Sequence, residues 1–179
     1  MNLPNKLTMA RIIAVPVFIV LYMMGYKEIS CILFIVASVT DTLDGSIARK
    51  RGLVTNFGKI MDPLADKILV YSAFLCLVED GIVPAWMLII ILFREFMVSG
   101  LRTVAAADGV VIAAGTTGKL KTILQMIAVP LLLLNNWPFI LFTDVRVDII
   151  MLWAQLVMTI ISGAEYVYKN RQVLLKGGL

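Results

Sequence analysis

The stretch "DTLDGSIARKRGLVTNFGKIMDPLADK", residues 41–67, holds four aspartates: Asp41 and Asp44, three apart, and Asp62 and Asp66, four apart. Spacings of three and four put side chains on one face of an α-helix. The two pairs therefore read as two helical faces joined by a hairpin through "KRGLVTNFG". Pro63 fits the first turn of the second helix, where its missing N–H costs little. Four of the chain's 12 acidic residues thus fall within this one hairpin.

The rest of the chain explains why that concentration is unusual. Of 179 residues, 60% are hydrophobic and 16% charged, with a mean hydropathy of +0.93. Soluble domains average about 45–50% apolar and about 25% charged. This composition predicts an all-α integral membrane protein, and the length predicts a single domain over residues 1–179. A spanning helix needs about 20 mostly apolar residues. That template predicts a bundle of six transmembrane helices, near residues 10–25, 30–49, 61–77, 83–105, 120–135 and 147–168. "NLPNKLT" is expected to form a short N-terminal interfacial helix, and the apolar run after it is read as a retained span, not a removed signal peptide.

Lys and Arg set the orientation. Lys6, Arg11, the "ARKRG" turn, Lys59, Arg94, Arg102, Lys119, Lys121, Lys169, Arg171 and Lys176 fall on one side, against Lys27 and Arg146 on the other. Both termini are therefore expected in the cytoplasm. The net charge of +4 reflects this bias and attraction to anionic headgroups, with no case for nucleic acid. Pro16 and Pro130 fall within spans and are expected to kink them. Cys31 and Cys76 lie in apolar runs, as packing groups rather than a disulfide or metal site.

The chain has no histidine, which removes the commonest general base and transition-metal ligand. Acid–base or metal chemistry here must run on carboxylates, and carboxylates suit magnesium or manganese. A charged side chain in a membrane costs about 2.5–3.5 kcal/mol on insertion scales, and clustered like charges repel. One or two divalent cations held by the four aspartates answer both costs. Ion pairing to Arg49, Lys59 and Lys67 is the alternative, but it gives no reason for Gly45 and Ala48 to continue the same stripe. Gly45, Ala48 and Gly58 would admit a phosphate or a flat ring close to the backbone; close helix packing is their other reading.

"D41-T-L-D44-G45-S-I-A48-R49", followed after eight residues by "G58-K-I-M-D62-P-L-A-D66", resembles the signature of the CDP-alcohol phosphotransferases, integral membrane enzymes of phospholipid synthesis. "N5-K-L-T8-M-A-R11", "R94-E95-F-M-V-S99-G100-L-R102" and "G118-K119-L-K121-T122" extend the resemblance across nearly the whole chain. They look like the bacterial branch whose acceptor is sn-glycerol 3-phosphate. The resemblance implies transfer of a phosphatidyl group from CDP-diacylglycerol to that acceptor with release of CMP, at the cytoplasmic face of the cell membrane, by a homodimer. It implies a metal on Asp41, Asp44 and Asp62, and Asp66 as general base, second-metal ligand, or both. It implies the nucleotide at Gly45, Ala48, Arg49 and Gly58, with Thr8 and Arg11 at the mouth.

The acceptor is an anion, so its pocket should be cationic. Arg94, Arg102 and Lys119 are the candidates, Arg94 above all because "IIILFREF" surrounds it with apolar residues where a free charge is expensive. The same family with inositol phosphate, serine or phosphatidylglycerol as acceptor is a competing reading. So are a polyprenyl-transferring enzyme and a carboxylate-lined cation transporter or channel, neither of which needs this spacing of aspartates and small residues.

Overall fold

A computed structural model describes residues 3–51, 56–107, 109, 112, 113 and 115–171, with side chains described at 7–40, 61, 64, 65 and, within those bounds, from 67 onward. Among the described residues there are six α-helices and no strand: α1 Leu3–Met23, α2 Lys27–Arg51, α3 Asn56–Glu79, α4 Ala85–Ala107, α5 Thr116–Leu133 and α6 Val147–Lys169. One 3-10 turn, Phe139–Leu141, lies between α5 and α6. Each helix coincides with one apolar segment expected from the sequence. One expectation is corrected: the residues before the first span form no separate interfacial helix. They run straight into α1, which begins at Leu3 and continues through Pro16 to Met23. Physically, no helix-stopping glycine or proline separates "NKLT" from the apolar run.

The chain forms two compact units, Met1–Ile82 with Val129–Asp144, and Val83–Ala128 with Val145–Leu179. In the first, α1 packs on both α2 and α3. Its buried residues are Thr8, Arg11, Val15, Phe18 and Tyr22, an alternating three–four spacing that makes a single seam. Phe18 meets Phe34 of α2 with ring centroids 6.4 Å apart and stacks on Tyr22 at 6.1 Å. Ala65 and Ala73 are buried on α3 beside Leu69, Phe74 and Leu77, and small residues of this kind let helix backbones approach closely. Cys31 and Cys76 are buried free thiols within this packing, in keeping with the sequence reading.

Three helices end within this unit, and all stop in the same way. At the end of α1, Gly25 N–H donates to Tyr22 C=O and Tyr26 N–H to Leu21 C=O. Gly81 and Ile82 repeat the pair on Val78 and Leu77 after α3, and Asn135 and Asn136 repeat it on Leu132 and Leu131 after α5. This is the Schellman arrangement, which needs a left-handed residue just past the helix. Gly25 (φ +87°) and Gly81 (φ +71°) supply it at no steric cost, and Asn135 (φ +48°) does so with the side chain that best tolerates it.

In the second unit, α4 packs on α6. Trp86 and Trp153, near the two helix starts, have ring centroids 6.0 Å apart. Arg102 and Tyr166, near the two helix ends, also meet, so these helices run parallel. Buried positions on α6 recur at Asp148, Leu152, Gln155, Thr159, Ser162 and Tyr166, again at three–four spacing, but the stripe turns polar along its length.

Among the described residues the outward faces carry many large apolar side chains. Ile13 and Val17 on α1, Ile32 and Val36 on α2, Leu75 on α3, Ile89 and Phe93 on α4, Ile123 on α5, and Trp153 and Val157 on α6 are all exposed. Among the described residues, α6 meets the length and hydropathy that a membrane crossing requires, and Leu7–Met23 is a shorter apolar helix.

A polar clamp closes one end of the first unit. Asp80, just past α3, accepts from Tyr22 Oη of α1 at 2.7 Å and from Lys27 Nζ at the start of α2. The Lys27 and Tyr22 hydrogen bonds hold the Asp80 carboxyl below the usual carboxylate range. A lowered carboxylate pKa stabilises the fold above the unfolded value, and that stability is lost as pH falls through the folded one. Asp80→Asn should therefore destabilise the protein near neutral pH by about 1 kcal/mol. Thermal unfolding in detergent as a function of pH should show the wild-type advantage disappearing below the carboxylate range.

Candidate functional site

The second unit contains a cavity of about 150 Å3, roughly ten times the space one water needs (about 10–15 Å3). It can hold a small organic molecule. Arg94 and Arg102 of α4, Thr117 and Gly118 of α5, and Ser162, Glu165, Tyr166, Lys169 and Asn170 at the end of α6 line it, with Ile112, Ala113 and Gly115 from the connecting segment. Three cations face one carboxylate, so the lining carries an excess of positive charge.

Each cation has a local reason to be there. On α4 the inward positions include Ile91, Val98 and Ala105, and Arg94 falls on the same stripe, three residues past Ile91. Only 12% of its side chain is exposed. Its guanidinium donates from Nη1 to Glu95 Oε1 at 3.2 Å, while Nε is buried without a protein partner. Two turns further on, the Arg102 guanidinium stands 5.6 Å from the centre of the Tyr166 ring, within the range of cation–π attraction. Arg102 Nε and the buried Tyr166 hydroxyl also lack protein partners. At the rim, Lys169 pairs with Glu165 one helical turn away. Buried donors without partners are costly, and here Arg94, Arg102 and Tyr166 line the same anion-sized space.

Glu95, outside the cavity lining, accepts from Lys121 as well as from Arg94. Lys121 is only 3% exposed, whereas Lys119, two residues earlier on α5, is exposed. Of the expected acceptor-site residues, then, the structure brings Arg94 and Arg102 together, and Lys119 is not among the residues lining that cavity. Tyr166, Ser162, Thr117 and the Glu95–Lys121 pair escape a reading of sequence. For Tyr166 a signal exists, since it continues the inward stripe of α6.

The other expected residues belong to the first unit. Thr8 is completely buried and Arg11 nearly so, both on the inner seam of α1. Asp41, Asp44, Gly45, Ala48, Arg49, Gly58, Asp62 and Asp66 lie outside the residues whose side chains the structure describes. The helices themselves span these positions: α2 runs through residues 41–49 and α3 through 58–66. Among the described residues no group of three or more potential metal ligands occurs.

Comparison with known proteins gives this geometry a context. The sequence model of the CDP-alcohol phosphatidyltransferase family matches residues 1–161, and the chain belongs to this family. A Bacillus subtilis relative named CDP-diacylglycerol–glycerol-3-phosphate 3-phosphatidyltransferase is 47% identical over 97% of both chains. A Rickettsia typhi protein of the same name is 43% identical over 92% of this chain and 94% of its own. A Mycobacterium tuberculosis protein named probable phosphatidylglycerophosphate synthase is 37% identical over 93% of this chain and 80% of its own.

Whether this cation-rich lining takes up anions is testable without any lipid substrate. A phosphate-bearing anion at one hundred times its Kd should stabilise the folded protein by about 2.7 kcal/mol, read as a rise in unfolding temperature with added phosphate. Arg102→Gln should remove most of that rise while leaving the unliganded protein folded.

Proposed function

We infer that this chain transfers the phosphatidyl group of CDP-diacylglycerol to sn-glycerol 3-phosphate, giving phosphatidylglycerol phosphate and CMP. The observation that carries this reading is a cation-rich cavity in a chain that matches, along 97% of its length, a relative named for that transfer. The family model runs through both units, so residues 1–179 are read as one catalytic domain.

In this reading Arg94 and Arg102 hold the phosphate of the acceptor by charge-assisted hydrogen bonds, with the Tyr166 hydroxyl as a further donor. The free terminal hydroxyl of the acceptor then attacks the phosphorus that carries the diacylglycerol. The bond from that phosphorus to the bridging oxygen breaks, and CMP leaves with the bond's electron pair. Asp66 takes the hydroxyl proton. Gly45, Ala48, Arg49 and Gly58 receive the cytidine nucleotide, with Thr8 at the mouth.

The donor set fits a divalent ion: Asp41, Asp44, Asp62 and Asp66 are all hard oxygen donors in a chain without histidine. When bound, magnesium or manganese neutralises the diphosphate and the leaving CMP.

The exposed apolar side chains on every helix support six membrane crossings. The Lys and Arg distribution supports cytoplasmic termini and a site facing the cytoplasm of a bacterial cell membrane. The family resemblance supports a homodimer.

Purified protein supplied with CDP-diacylglycerol, magnesium or manganese, and separate acceptors tests the assignment. CMP should form with sn-glycerol 3-phosphate and not with inositol phosphate, serine or phosphatidylglycerol. CMP formed only with one of those others would reassign the acceptor, and folded protein that releases none would refute the reaction. Asp66→Asn should lower turnover by at least about a hundredfold, measured as CMP release at saturating substrates.

A further inference from the structure

The path that Arg94 takes to the cavity assigns a role to a residue without a side chain. A Cβ built on Gly163 of α6 would lie 2.9 Å from Arg94 Cγ, well inside the contact distance of about 3.5–4.0 Å between carbons. Cγ sits near the backbone, so it cannot swing aside as the far end of an arginine could. The other neighbours of that Cβ, Arg94 Cβ and Met97 Cε, are at an ordinary 3.9 Å. The crowding is therefore specific to the Arg94 stem.

Gly163 is also buried in the interior of α6, where glycine weakens a helix, so its presence there asks for a steric reason. Gly100 of α4 is a useful contrast, since a Cβ there meets nothing within 4 Å. Beyond Gly163, the guanidinium of Arg94 passes within 3.5 Å of the Cβ position of Gly118 on α5. The stem of the arginine thus crosses α6 at one glycine before its head enters the cavity beside another.

We propose that Gly163 is a positioning residue for acceptor binding: its missing side chain is the slot through which Arg94 reaches the anion. This rests on the reading that the cavity takes the acceptor phosphate. Any residue larger than glycine at 163 pushes the stem away from α6 and withdraws the guanidinium, without touching the acceptor itself.

Steady-state kinetics on the full-length protein, with Gly163→Ala, Arg94→Ala and the double variant, test it. Gly163→Ala should raise KM for sn-glycerol 3-phosphate about tenfold, the equivalent of one charged hydrogen bond, with KM for CDP-diacylglycerol unchanged. Gly100→Ala should move neither. In the Arg94→Ala background, which lacks the clashing Cγ, Gly163→Ala should have no further effect.

An equal effect of Gly163→Ala in both backgrounds, or an equal rise in both KM values, would overturn the proposal in favour of plain helix packing. Should Gly163→Ala fail to fold, the double variant must recover folded protein, and failure to recover it overturns the proposal too. A raised KM in Arg94→Ala with none in Gly163→Ala overturns this inference alone. An unchanged KM for sn-glycerol 3-phosphate in Arg94→Ala overturns the cavity reading and this inference with it.

Discussion

A charge placed within an apolar helix has to be answered by other polar groups, and that constraint shapes the second unit around Arg94. It follows the apolar run Ile89–Phe93 and precedes Glu95, and its side chain is mostly buried. Stranding such a charge in a low-dielectric setting would cost several kcal/mol. Glu95 answers part of it and pairs with Lys121 as well. What remains is an excess of positive charge at the edge of a cavity with unfilled hydrogen-bond donors. In the proposed reading an anionic substrate completes the set, and the electrostatics that burden the fold serve the site.

Two kinds of surface follow from one helical periodicity. Three–four spacing gathers Thr8, Arg11, Val15, Phe18 and Tyr22 on the inner seam of α1 and mostly polar residues on the inner stripe of α6. Many of the large side chains left facing outward are apolar, among them Ile13, Val17, Ile89, Phe93 and Trp153. In water such a surface would aggregate; in lipid it is the expected exterior. Helix ends follow the same economy: the Schellman turns after α1, α3 and α5 use glycine or asparagine and tie up carbonyls that a bilayer surface would leave unsatisfied.

Most of the fold was legible in the sequence because apolar runs of spanning length, punctuated by Gly25, Gly81 and the Asn135–Asn136 pair, mark where helices lie and stop. The start of α1 was not, since the polar "NKLT" says nothing about whether the helix pauses at the membrane surface. Arg94 was legible by its cost in apolar surroundings, and Arg102 as a further cation at the same end of that span. Choosing between Lys119 and Lys121 was beyond the sequence, because two residues of helix turn the face by about 200° and only the packing of α5 decides which side is inward. Tyr166 and Gly163 matter through contacts with a helix some sixty residues earlier in the chain, a pairing that no local pattern encodes. The aspartates stood out by spacing alone, and the family match to residues 1–161 covers all four.

The central claim is that the cavity of the second unit holds the acceptor's phosphate while the lipid donor is bound elsewhere. Equilibrium binding of radiolabelled sn-glycerol 3-phosphate and of CDP-diacylglycerol to wild type and Arg94→Gln separates the two most directly. The account predicts that Arg94→Gln weakens acceptor binding about tenfold or more and leaves donor binding intact. Equal weakening of both ligands, or undiminished acceptor binding in the variant, would contradict it.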